Sequence, residues 1–90
     1  MAGSRGLAIN RQIARQFYAT AEQCEVRGDR YKFRALAYRQ AAVALEKLDR
    51  GVDEIYRHGW LVGLQKIEGI GNRLAHTIEA ELKKRGITKK

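Results

Sequence analysis

The chain has 90 residues, room for a single hydrophobic core and little space for a deep catalytic cleft. Eighteen Lys and Arg against ten Asp and Glu leave a net charge of +8 and a pI near 10.1, the electrostatic footprint of a polyanion binder. One cysteine and two histidines exclude an internal disulfide and a zinc cluster, and no apolar run reaches the ~18 residues that a bilayer span needs.

Residues 1–8, with two glycines and an arginine before any apolar period, read as a flexible basic tail. Asn10 is a candidate N-cap for a first helix over residues 10–27. Ile13, Phe17, Ala21 and Cys24 recur there at helical spacing, and Gly28 stands beyond the end. Asp29 can cap a second helix whose apolar stripe is Phe33, Leu36, Ala37, Ala41, Ala44, Leu45 and Leu48, with Gly51 past its end. Residues 52–57 form a short third helix closed by Gly59, and residues 60–66 a short fourth, in which Trp60 among Leu61, Val62 and Leu64 reads as core. A last helix over residues 72–85 turns Leu74, Ala75, Ile78 and Leu82 inward and ends before Gly86. No strand alternation and no proline interrupt this pattern. The fold class is therefore all-α, a compact bundle of four to five short helices, with one domain over residues 9–87 and a basic tail at 88–90.

The chemistry centres on Leu64-x-x-Ile67-x-Gly69-Ile70-Gly71-x-x-Leu74-Ala75, a helix-hairpin-helix motif. Two glycines at i and i+2 allow positive φ and let bare backbone approach a ligand, with Ile70 between them as an inward plug. The start of the last helix then presents free N–H groups and the positive end of its dipole, a phosphate nest beside Arg73. Such a nest grips backbone phosphate without reading a base. Arg34, Tyr38 and Arg39 on the second helix are further phosphate candidates, and His76 and Thr77 follow Arg73 on the last helix.

Phe33-Arg34-Ala35-Leu36-Ala37-Tyr38-Arg39-Gln40-Ala41-Ala42, with Ile67-Glu68-Gly69-Ile70-Gly71-Asn72-Arg73-Leu74-Ala75 some two dozen residues later, resembles the N-terminal domain of the X-family, beta-like DNA polymerases, over residues 9–87. The resemblance implies a helical domain that holds the 5′ side of a DNA gap in a phosphate pocket. Arg34 and Tyr38 match positions lining that pocket, and Arg73 matches a basic phosphate contact. It also implies K⁺ or Na⁺ on the main-chain carbonyls of Gln65, Ile67 and Ile70. The family's Schiff-base chemistry needs a primary amine, yet Thr77 stands at the position of that lysine and His76 replaces the glutamate before it.

The reading is a DNA-binding domain without a catalytic residue or a cofactor beyond that cation. Its expected ligand is single-stranded, gapped, nicked or duplex DNA, with repair or replication proteins as further partners, no membrane, and an intracellular location in cytoplasm, nucleoid or nucleus. Two alternatives stand beside it: a deoxyribose-phosphate lyase using Lys66, Lys83 or Lys84, and a protein-interaction module that has kept the fold and lost DNA.

Overall fold

The computed structural model describes residues 4–87, and the side chains of residues 7–87. Four α-helices follow in order: α1 (Ser4–Arg27), α2 (Lys32–Lys47), α3 (Val52–Gln65) and α4 (Asn72–Lys84), with one 3-10 turn, Asp29–Tyr31, before α2. The all-α bundle expected from the sequence is the fold observed, and no strand occurs among the described residues. No helix among them is long and apolar enough to cross a membrane. Residues 1–3 and 88–90, which include parts of both expected basic tails, lie outside the described residues.

The core lies where α1 and α2 pack side by side and α4 closes the end. Ile13, Ala14 and Phe17 of α1 meet Ala41, Ala42 and Leu45 of α2, and Leu74, Ala75, Ile78 and Leu82 of α4 complete the cluster. The alanines bring the helix axes close, so that most of the buried volume comes from a few Ile, Leu and Phe side chains. A smaller cluster of Ala21, Cys24 and Ala35 lies under Tyr31 and Tyr38, which places Cys24 as a small buried side chain.

Four details depart from the sequence-based expectation. First, α1 begins at Ser4, so residues 4–8 are helical and Asn10 lies in the second turn rather than at a cap. Asn10 is nevertheless a cap, of a different helix. Its side chain is 1% exposed, its Oδ1 accepts the Val52 N–H at 2.7 Å at the start of α3, and its Nδ2 donates to the Arg50 carbonyl at 2.8 Å. A short polar side chain is needed there because α3 has no side-chain cap of its own, and an orphan N–H buried without a partner costs about 1–3 kcal/mol. Second, Asp29 caps no helix by its side chain: Gly28 at φ 110 turns the chain into the 3-10 turn, and α2 starts only at Lys32.

Third, the apolar stripe of α2 is split. In its C-terminal half Ala41 and Leu45 are buried and Ala44 and Leu48 half-buried, but Phe33 is 84% and Leu36 52% exposed, Ala37 is exposed as well, and Ala35 turns inward in their place. Fourth, the two short helices expected over residues 52–66 are present, joined within α3 at Trp60 with φ 55 and ψ −149, but Trp60 itself does not enter the core. Trp60 is half exposed rather than core, because the residue at this junction carries its side chain outward while Tyr56 and Leu64 on either side supply the buried contacts. The backbone strain at a left-handed tryptophan is held in place by those two anchors.

Candidate nucleic-acid interface

The hairpin between α3 and α4 is closed by Lys66, Ile67 and Ile70, whose N–H groups donate to Val62, Leu64 and Ile67 carbonyls. Ile70 is buried, as an inward plug should be. Its two glycines differ. Gly69 has φ 94, and a Cβ there would stand 3.1 Å from the Ala44 Cβ and 3.5 Å from the Gln40 carbonyl, so it is demanded both by its torsion and by its contact with α2. Gly71 has the ordinary extended φ of −84, contrary to the expectation of positive φ at both positions, and a Cβ there would meet nothing within 4 Å. Nothing among the described residues requires Gly71 to lack a side chain.

Gly71 is the N-cap of α4. It offers no side chain, no acidic residue stands in the first turn, and the first bond of the helix is Ala75 N–H to the Gly71 carbonyl at 2.9 Å. The N–H groups of Asn72, Arg73 and Leu74 are left pointing out of the helix with the positive end of its dipole. Gly71, Arg73 and Leu74 at this end line a groove of about 720 Å³ between the N-terminal half of α2 and the hairpin, with Arg30, Arg34, Tyr38 and Phe33 on one side and Gly69, Gly71 and Arg73 on the other.

Five of the residues predicted from sequence thus converge: Arg34, Tyr38, Gly69, Gly71 and Arg73 all line this groove. Tyr38 packs edge-on against Phe17, with ring centroids 5.2 Å apart, while it lines the groove. Arg30, Arg34 and Arg73 take part in no ion pair among the described residues, whereas Arg39, Arg50, Arg57 and Arg85 each meet a carboxylate. Arg39, the further candidate on α2, therefore lies apart from the groove, its guanidinium bridged to Glu25 on α1 at 2.6 and 3.3 Å. His76 is exposed on α4, and the Thr77 hydroxyl donates to the Arg73 carbonyl at 3.1 Å; neither lines the groove. No group of three His, Cys, Asp or Glu that could hold a metal occurs among the described residues.

Sequence reasoning missed Arg30 and Phe33. Arg30 sits in the 3-10 turn, which the periodicity did not separate from α2, and Phe33 had been assigned to the core stripe. A discriminating signal was present: Phe33 is flanked by Lys32 and Arg34, an aromatic interleaved with cations.

Residues 8–87 match the family model described as a helix-hairpin-helix domain. No curated protein and no solved structure matches the chain. Helix-hairpin-helix domains generally bind DNA without sequence specificity, and an uncapped helix N-terminus behind a Gly-Ile-Gly hairpin is the arrangement that such binding uses. With the match running from α1 through the Gly86 turn, the chain belongs to the helix-hairpin-helix domain family.

Proposed function

We propose that this domain binds DNA through backbone phosphates and prefers gapped, nicked or end-containing DNA, in repair or replication inside the cell. The observation that carries the reading is the convergence of the uncapped α4 N-terminus, the open space over Gly71 and the unpaired Arg34 and Arg73 on one groove. The N–H groups of Asn72 and Arg73 hold one phosphate, with Arg34, Arg73 and the Tyr38 hydroxyl around it. Phe33, 84% exposed at the rim, offers a flat apolar face beside that phosphate. A paired base inside a duplex has no free face to give it, so stacking there favours DNA with an interruption.

The resemblance to the N-terminal domain of X-family polymerases points the same way. Its monovalent cation fits the hairpin: the carbonyls of Gln65 and Ile70 receive no backbone hydrogen bond among the described residues, and that of Ile67 receives one, leaving a lone pair. These three would hold K⁺ or Na⁺, which supplies positive charge next to the bound phosphate.

The reading excludes efficient lyase chemistry. Thr77 has no amine, and Lys66, Lys83 and Lys84 lie outside the groove, Lys84 beside Glu81 at 3.7 Å. An imine with a ring-opened sugar aldehyde requires a primary amine in reach of the sugar when its phosphate is bound. Titration against gapped, nicked and intact duplexes of one sequence checks the preference, with the tightest binding expected for the gap and equal binding to all three counting against it. Borohydride trapping on a 5′-deoxyribose-phosphate substrate should yield almost no covalent complex; strong trapping abolished by changing one of the three lysines would establish the enzyme instead.

A further inference from the structure

Behind the groove lies a second, smaller cleft of about 170 Å³ between α1 and α2, lined by Arg27, Gln23 and Cys24 and sharing Tyr31, Arg34 and Tyr38 with the groove. Two guanidinium groups rest on one aromatic ring here. The central carbons of Arg27 and Arg34 stand 5.4 and 5.7 Å from the Tyr31 centroid, within cation–π range. Neither arginine has a carboxylate partner among the described residues, and Glu25 on the same helix as Arg27 is taken by Arg39. Two like charges gathered on one ring repel each other, and an anion between them relieves that repulsion. Stacking occupies the flat face of a guanidinium and leaves its N–H edges free, the edges that bind phosphate in bidentate fashion.

We propose that Arg27, Arg34 and Tyr31 form a second phosphate position on the same DNA strand. This inference rests on the reading of the groove as a DNA phosphate site and extends it by one linkage. The shared wall makes the two anions neighbours: Arg34 faces both cavities, so a strand whose first phosphate lies at the α4 N-terminus passes its next phosphate to Arg27 and Tyr31. Tyr31 acts as a positioning residue, holding two arginines that would otherwise spread apart. The 3-10 turn after Gly28 sets the ring there, between the end of α1 and the start of α2.

The test measures binding of one gapped duplex by the full chain and by Arg27→Gln across a salt series. Arg27 is exposed, and circular dichroism checks that the variant folds. The expected result is a loss of roughly three- to tenfold in affinity at 100 mM salt, with the slope of log K against log salt shallower by about 0.7–0.9, the release of one phosphate's counterion. Arg57→Gln removes the same charge from α3, which lines neither cavity, and should leave the slope unchanged. Placing a neutral methylphosphonate at successive linkages then locates the contact. One linkage should weaken binding by the native chain and weaken it markedly less in Arg27→Gln, where only Arg34 still faces that phosphate. Tyr31→Phe, which keeps the ring, should bind as the native chain does, and Tyr31→Leu should resemble Arg27→Gln. Native binding to gapped DNA with unchanged affinity and slope in Arg27→Gln overturns the second position alone. Failure of the native chain to bind gapped DNA overturns the groove reading as well.

Discussion

At its C-terminal end α4 is closed by its own chain: Gly86 at φ 80 reverses direction, its N–H donates to Lys83, the Ile87 N–H reaches back to Leu82 at 2.9 Å, and the Ile87 side chain is buried. At its N-terminal end the same helix starts from Gly71 with no side-chain cap, and Gly71, Arg73 and Leu74 line the groove. The first end follows the Schellman pattern, in which the fold satisfies every orphan group it can. The second leaves donors open on a surface rich in unpaired arginine, a state that water tolerates and a phosphate improves. The difference separates a glycine that serves the fold from one that serves a ligand, and substitutions can test that separation.

The largest expected effect is at Gly69. Gly69→Val places a β-branched side chain at positive φ and within 3.1 Å of Ala44, which should cost roughly 2–4 kcal/mol in a denaturant titration and lose DNA binding together with the fold. Gly71→Val should behave oppositely. Its torsion suits any residue and its Cβ points into open space, so the unfolding free energy should stay within about 1 kcal/mol of the native chain's. Affinity for gapped DNA should fall at least tenfold, the loss expected when charge-assisted hydrogen bonds worth about 1.5–3 kcal/mol are blocked. Unchanged affinity in folded Gly71→Val would reduce the hairpin to a structural turn. Gly86→Ala completes the set with the smallest change: about 1 kcal/mol of stability from a non-glycine in the left-handed region, and DNA affinity equal to that of the native chain.

Alkaline pH bears on the C-terminal side of α4 as well. The Tyr56 hydroxyl, 1% exposed, donates to Glu79 at 2.8 Å, and burial, then that hydrogen bond, hold its pKa above the ordinary 10. The folded state therefore favours the neutral phenol. This contribution is fully present below pH 10 and is lost as pH rises through the folded value, so native stability should decline above pH 10 more steeply than that of Tyr56→Phe. Parallel unfolding midpoints for the two proteins from pH 8 to 11 would show that this bond adds nothing.

What could be read from the sequence follows from how local each signal is. The register of α4, the inward Ile70 and the break before Trp60 are legible because spacing and glycine placement encode them within a few residues. The sequence marks Asn10 as a cap but points to its own helix, since its partner Val52 is 42 residues away and no local pattern records that pairing. The α2 stripe was misread at Phe33 and Leu36 because helical periodicity marks an apolar face without saying whether core or groove lies against it. Arg34 and Arg39 stand five residues apart on α2, about 140° around the helix, so they face different neighbours. The position of Glu25 on α1, which no local pattern records, decides that Arg39 is neutralised while Arg34 is left open to the groove.

Whether the open end of α4 holds a DNA phosphate can be followed at the backbone amides while a gapped duplex is added to isotope-labelled protein. Phosphate binding there should give large, saturable shifts at the amides of Gly71, Asn72, Arg73 and Leu74 and small ones at Lys83 through Ile87, where the N–H groups are already bonded within the chain. Shifts confined to the C-terminal end of α4, or spread evenly along the helix, would contradict it.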